Sequence, residues 1–411
     1  MNTYRTGYKT ELKPNNKQNT LLLKHAGTAR YAYNWALERT SKRELKPNAI
    51  EIHKCWNKWK KENISWWSEV SKCSPQESFR DLQNSYQHFF RKVKLSKKGK
   101  FKGKLGYPKF KNKKNSTPHF RLTGFIHIEY NRIKLPRIGW IRLKEKDYFP
   151  IGSPSQVSIT QKAGRWFVSV QKELPINTTI KKEYSSVGVD LGVKTLAYCS
   201  DNKVFENNKF LKQSLKKLKR IQRKHSKRTK GGKNREKMRK ILAKQHFKVA
   251  NQRKNTLHEI TSHLTRTKSR VVIEDLNVSG MLKNRKLARS ISDCGFYEFR
   301  RQLEYKGLRY GCTIVIADRW FPSSKTCSCC GWYNKDLTLK DRTFKCKDCG
   351  TEVDRDLNAA INLNNYGTVS STESSEEKSS EKAFGEKSTG YSNRNNETVL
   401  DELGIKQKTD L

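Results

Sequence analysis

Residues 325–364 read KTCSCCGWYNKDLTLKDRTFKCKDCGTEVDRDLNAAINLN. Cys327 and Cys330 form one Cys-x-x-Cys pair, and Cys346 and Cys349 form a second pair across a 15-residue loop. Four thiolates at this spacing are typical of a tetrahedral zinc site. Because cysteine fills all four positions, none remains for a substrate, and we expect a structural Zn²⁺. The loop suits the hairpin of a zinc ribbon, which we place at residues 320–352.

Three carboxylates are candidates for a second metal site. Asp356 follows the last cysteine by seven residues and lies at the start of an alanine-rich helix. Asp190 and Glu274 each end a predicted buried strand, SSVGVD and RVVIE. At one edge of a central sheet, the three could hold two Mg²⁺ ions for phosphodiester hydrolysis. The alternatives are that Asp190 only shapes a turn and that Asp356 only caps its helix.

Neighbouring acidic residues compete with these candidates. Alternate residues of a strand face opposite ways, so Glu274 and Asp275 cannot both point into one site. We favour Glu274 and expect Asp275 to begin the next loop. Asp354 is the rival of Asp356, and we place it with Arg355 around the site. We expect Asn358 to form hydrogen bonds locally at the helix start.

The charge of the chain indicates a polyanionic partner. Lys and Arg number 87 against 39 Asp and Glu, which gives a net charge of +48. The excess is spread along almost every segment, so nucleic acid is favoured over a single solubilising patch. No apolar run approaches the ~20 residues of a membrane span, and the first residues lack a signal-peptide core. The scattered cysteines indicate a reducing compartment. We therefore expect a cytoplasmic, nucleoid-associated protein with no membrane contact.

Periodicity divides the chain into segments. Helical patterns begin near Thr20 and end with a third helix from Pro75 to Val93, whose aromatics we expect mainly in a core, with a few rim residues stacking on bases. Residues 94–114 predict a basic loop, which either contacts phosphates or is disordered without them. Alternating β-type sequence from about Phe120 to Leu174 predicts a small antiparallel barrel, closed by an N-terminal strand. A basic helical hairpin is predicted at 208–255, and a disordered tail at 366–411.

Several motifs resemble the TnpB family, the RNA-guided nucleases of bacterial insertion sequences that are related to type V CRISPR effectors. GVDLGVKTLA and VVIEDLNVSGM are similar to its first two RuvC motifs. SSKTCSCCGWYN, RTFKCKDCG and DRDLNAAINL are similar to its zinc ribbon and third RuvC motif. The N-terminal segments RYAYNWALE, FRDLQNSYQHFFRKV and GYPKFKNKKNSTPHFR also resemble the family. Val353 departs from the pattern, because many relatives have His before Asp-Arg-Asp.

The resemblance implies an α+β multidomain fold. It implies an RNase H-like RuvC nuclease domain at 183–365 containing the ribbon, an OB-like wedge domain at 1–17 and 108–182, and a helical recognition domain at 18–107. By motif match the catalytic triad falls on Asp190, Glu274 and Asp356. A guide RNA from the transposon end would pair with one strand of double-stranded target DNA, beside a short motif that the protein reads.

Two other functions remain open. The chain could be a non-cleaving, guided regulator of transposition, since some family members have eroded RuvC sites. All three carboxylates are present here, which argues against that function. An unguided, resolvase-like nuclease is the third hypothesis.

Overall fold

The computed structural model describes residues 3–113, 116–175, 185–338 and 340–367. The chain divides into an N-terminal unit, Arg5–Leu174, and a C-terminal unit, Met1–Tyr4 with Pro175–Leu411. From residue 368 onward, the expected disordered tail lies outside the described residues. At the predicted start of that tail, Tyr366 is still described, and its ring packs edge-on against Phe321 with 4.9 Å between centroids.

The helices of the N-terminal unit share an aromatic core. Asn15 caps the first helix through a reciprocal pair of hydrogen bonds with Gln18. Trp35, Trp56 and Phe79 are buried where the helices meet, which agrees with the core predicted for most aromatics. The helices are α1 Asn16–Ser41, α2 Ala49–Asn63 and α3 Cys73–Lys97, with a short 3₁₀ helix at Ser65–Glu69.

The same unit contains a seven-stranded sheet in the order β2-β6-β7-β1-β5-β4-β3. Its strands are β1 Thr3–Lys13, β2 His119–Thr123, β3 His127–Glu129, β4 Arg132–Leu135, β5 Gly139–Leu143, β6 Gln156–Lys162 and β7 Arg165–Pro175. The N-terminal strand, expected to close the antiparallel barrel, lies between β7 and β5 and joins the two halves of the sheet. The basic loop begins later than predicted, because α3 continues to Lys97.

The C-terminal unit is built on a five-stranded sheet in the order β10-β9-β8-β11-β12. The strands are β8 Ser186–Asp190, β9 Thr195–Cys199, β10 Val204–Glu206, β11 Arg270–Glu274 and β12 Thr313–Ala317. β11 pairs in parallel with both β8 and β12, whereas β9 pairs antiparallel with both β8 and β10. This order is RNase H-like. The central strands are rich in Val and Ile because parallel strands are covered on both faces.

Helices and a two-stranded ribbon complete the C-terminal unit. They are α4 Phe210–Ser226, α5 Lys233–Thr267, α6 Val278–Met281, α7 Ala288–Cys294, α8 Phe296–Tyr310, β13 Thr343–Lys345, β14 Glu352–Asp354 and α9 Arg355–Asn365. The basic hairpin does not end at residue 255, because α5 continues as one helix whose last turns are buried in the core through Leu257, Ile260 and Leu264. Within the described parts of the chain, no helix is long and apolar enough to cross a membrane.

Gly188 sets the distance between α9 and β8. A Cβ atom on Gly188 would lie 2.0 Å from the carbonyl oxygen of Ala360 and 2.3 Å from the amide nitrogen of Asn364. Both of those atoms belong to the backbone of α9, which cannot yield as a flexible side chain can. The Ser186 hydroxyl donates to the Asn364 side chain at 2.8 Å and fixes the same approach. The sequence at this point therefore requires glycine.

Gly188→Ala should destabilise the C-terminal unit by at least about 1–3 kcal/mol, because an added methyl overpacks the contact. Thermal unfolding of the purified chain measures the effect. The matched control is Gly7→Ala in β1, where a Cβ meets nothing within 4 Å, and this control should unfold within about 0.5 kcal/mol of the parent. Equal stability of both variants would contradict the close approach.

Candidate functional site

The four cysteines of the two pairs come together. The sulfur atoms of Cys327, Cys330, Cys346 and Cys349 all lie within 4.8 Å of one another. Cys327 Sγ is 3.7 Å from Cys349 Sγ, and Cys330 Sγ is 3.5 Å from Cys346 Sγ. Zn–S bonds of about 2.3 Å in a tetrahedron place sulfurs about 3.8 Å apart. The cluster therefore fits a Zn²⁺ ion.

Apolar packing and hydrogen bonds surround the four-sulfur cluster. The fully buried Phe344 and the partly buried Trp332 and Leu337 pack beside the sulfurs. Hydrogen bonds from the hydroxyl and backbone of Thr351 lower the pKa of the Cys349 thiol to about 6. A thiol that ionises readily is a ready metal ligand, since thiolate is the binding form.

Asp190, Glu274 and Asp356 also converge. β8 and β11 are adjacent parallel strands in which Val189 pairs with Ile273, so Asp190 and Glu274 end neighbouring strands. Asp356 lies in the first turn of α9, the helix that crosses β8. Burial, the Glu274 charge and the Asp356 charge together raise the pKa of Asp190 to about 8. The contributions of Glu274 and Asp356 to this pKa, after that of burial, place both carboxylates close to Asp190.

One cation lies in this group. Arg355 is 3.2 Å from Asp356 and lowers the pKa of Asp190, against the stronger effects of burial and of the two acids. It also donates to the carbonyl of Thr338 at 3.3 Å. Three carboxylates against one guanidinium form an oxygen-rich, negative donor set, which is the type that hard cations such as Mg²⁺ prefer.

The structure separates the candidates from their rivals. Asp354 is the N-cap of α9, because its Oδ1 accepts from the amides of Asp356 at 2.9 Å and Leu357 at 3.2 Å. Asp356 is therefore not the cap. Asp275 is paired with Arg300 at 2.7 Å and with Arg319 at 2.5 Å. Those two pairs occupy Asp275, whereas Glu274 interacts with Asp190.

Asn358 differs from the prediction. Its side chain accepts from the amide of Ser328 at 2.9 Å and donates to the carbonyl of Thr326 at 2.7 Å. It thus binds the first cysteine pair rather than the local helix start. The sequence reasoning also missed Ser323, whose hydroxyl donates to Glu274 at 2.5 Å. The sequence gives no signal for Ser323, but it does for the amides, because Asn358 and Asn362 lie four residues apart on one face of α9.

Cys346→Ala should lose the bound zinc and unfold the ribbon, because the binding energy of a structural zinc is folding energy. Elemental analysis of the purified chain, with hydrogen exchange across residues 325–350, measures both. Cys329→Ala is the matched control. Cys329 lies inside the first pair but outside the four-sulfur cluster, so this variant should keep its zinc. Zinc loss from the control alone would overturn the ligand assignment.

Comparison with known families matches three parts of the chain. Residues 296–363 match the Cas12f1-like TNB domain, and residues 167–285 match the OrfB family of IS605, described as "Probable transposase". Residues 1–44 match a family described as a helix-turn-helix domain. In the structure this last segment contains the strand β1, followed by the long helix α1, which makes up most of it.

Relatives align along most of the chain. The "Putative RNA-guided DNA endonuclease" of Streptomyces pristinaespiralis is 34% identical over 385 residues, covering 90% of this chain and 91% of that protein. InsQ of Escherichia coli K12, which has the same designation, is 31% identical, covering 87% and 90%. A solved Cas12f1–sgRNA–target DNA complex aligns with a TM-score of 0.35 and 16% identity, covering 88% of this chain and 99% of that one. On the sequence relatives, this chain belongs to the TnpB family of insertion-sequence proteins.

Proposed function

We propose that this chain is the RNA-guided DNA endonuclease of an insertion sequence. We also propose that Asp190, Glu274 and Asp356 form the catalytic site that cleaves DNA. The observation that supports the site most strongly is the convergence of three carboxylates at Asp190, whose pKa is raised to about 8 by burial first and then by the charges of Glu274 and Asp356. Such a site is poised for a cation, because a divalent ion relieves the repulsion. The relatives that align with 90% and 87% of this chain have the name "Putative RNA-guided DNA endonuclease".

The residues divide the work of the reaction. Asp190, Glu274 and Asp356 would hold two Mg²⁺ ions, which when bound activate the attacking water and stabilise the leaving oxygen. The raised pKa keeps a proton on Asp190 near neutral pH, and a bound cation would displace that proton. Asp354 fixes the first turn of α9 and so aims Asp356, while Arg355 balances part of the charge.

The partners follow from charge and from family. The net charge of +48 suits backbone contacts with nucleic acid, and delegation of sequence reading to base pairing requires mainly such contacts. We propose a guide RNA from the transposon end and double-stranded target DNA, in the bacterial cytoplasm beside the nucleoid. We assign wedge, recognition and nuclease roles to residues 1–17 with 108–182, 18–107 and 183–365.

Asp356→Asn should slow cleavage by about 10³-fold or more, because several kcal/mol of charge stabilisation depends on the metal ligands. The matched control is Asp354→Asn, two residues before Asp356. Its cleavage rate should be within a few-fold of that of the parent. Asparagine caps a helix about as well as aspartate does. The assay is cleavage of a plasmid carrying a matched target by the protein purified with its co-expressed RNA.

Each outcome separates the hypotheses. Full activity of Asp356→Asn means that the site is misassigned. DNA binding without cleavage by the parent protein favours the non-cleaving regulator of transposition. Cleavage that survives removal of the RNA favours an unguided, resolvase-like nuclease.

A further inference from the structure

Two buried amides on α9 hold the segment that leads into the zinc cluster. Asn358 is fully buried and Asn362 is 7% exposed. Asn362 donates to the carbonyl oxygens of Ser323 at 2.7 Å and Thr326 at 2.6 Å. With the two bonds of Asn358 to Thr326 and Ser328, they fix the backbone on both sides of Cys327. Buried amides persist only where such partners exist.

The other end of this segment reaches the carboxylate site. Ser323 is 3% exposed, and its hydroxyl donates to Glu274 Oε1 at 2.5 Å. Short bonds of this kind to an ionised oxygen are among the strong ones. Ser323 therefore has its carbonyl held by α9 and its hydroxyl engaged by Glu274. This bond restricts the rotation of the Glu274 carboxylate and leaves lone pairs on both of its oxygens for a cation.

We propose that Ser323 and Asn362 are positioning residues through which the zinc ribbon sets the orientation of Glu274. Hydrogen bonds connect the ribbon to Ser323 without a gap. Thr326 and Ser328, on either side of Cys327, are bound by side-chain amides of α9, and one of these amides also binds the carbonyl of Ser323. An intact ribbon thus prepares the carboxylate site for a divalent cation. The inference rests on the proposed function, since it assumes that Glu274 binds that cation.

Loss of the Ser323 hydroxyl frees Glu274 to change rotamer. Groups that orient a metal ligand typically contribute about 10–100-fold to metal affinity. Ser323→Ala should therefore weaken Mn²⁺ binding by about that factor, while zinc content and unfolding temperature stay at parent values. Ser324→Ala, one residue along the chain, is the matched control and should bind Mn²⁺ like the parent.

The experiment titrates Mn²⁺ into the zinc-loaded, full-length chain freed of nucleic acid. Free Mn²⁺ is read by electron paramagnetic resonance, and Glu274→Ala gives the background. Asn362→Ala should weaken binding as well, and the double variant should be no weaker than Ser323→Ala alone, because both act through one hydroxyl. This non-additivity is something that a merely structural role would not produce.

The positioning role of Ser323 and the proposed function are contradicted by different results. Parent-like Mn²⁺ affinity of Ser323→Ala, or additive effects of the two substitutions, overturns the positioning role while the proposed function stands. Absence of any Glu274-dependent Mn²⁺ binding in the parent overturns both.

Discussion

The contact of α9 with β8 at Gly188 is the constraint on which the rest of the C-terminal unit depends. Without a side chain at this position, the helix backbone reaches the strand, and Asp356 arrives beside the ends of β8 and β11. Open α/β sheets form their sites at the carboxyl ends of parallel strands. Here the strands supply two carboxylates and the helix supplies the third. The same helix presents Asn358 and Asn362 to the segment around Cys327, so one packing contact organises both the four-sulfur cluster and the carboxylate group.

The carboxylate site is unfavourable by itself. Three acids near one another and partly removed from water repel, and the raised pKa of Asp190 records that cost. The cost is offset elsewhere, by the buried Val and Ile residues of the central strands and by the capped first turn of α9. Strain of this kind is concentrated where a ligand will relieve it. The proposed binding of a cation would offset this repulsion.

Sequence reasoning reached the features that depend on local chemistry. Apolar runs ending in Asp190 and Glu274 predicted two neighbouring strands, and cysteine spacing predicted the four-sulfur cluster. Features set by distant contacts were missed. The continuity of α5, the central place of β1 and the partners of Asn358 all depend on which surfaces meet in three dimensions. Ser323 belongs to this class, because an isolated serine before a zinc ribbon gives no signal of the carboxylate that it binds.

The unfolding temperature of Asp190→Asn as a function of pH, in magnesium-free buffer, tests most directly whether Asp190 is buried beside Glu274 and Asp356. An acid whose folded pKa is raised holds its proton more tightly in the folded chain, so it lowers stability as pH rises from about 4 to about 8. Asparagine removes that penalty. The unfolding temperature of the variant should therefore rise above that of the parent as the pH increases across this range, and the difference should reach about 2–8 °C at pH 8. Asp275→Asn, which loses two arginine partners, should show no gain. An Asp190→Asn advantage that is absent, or that does not grow with pH, would contradict the convergence of Asp190, Glu274 and Asp356.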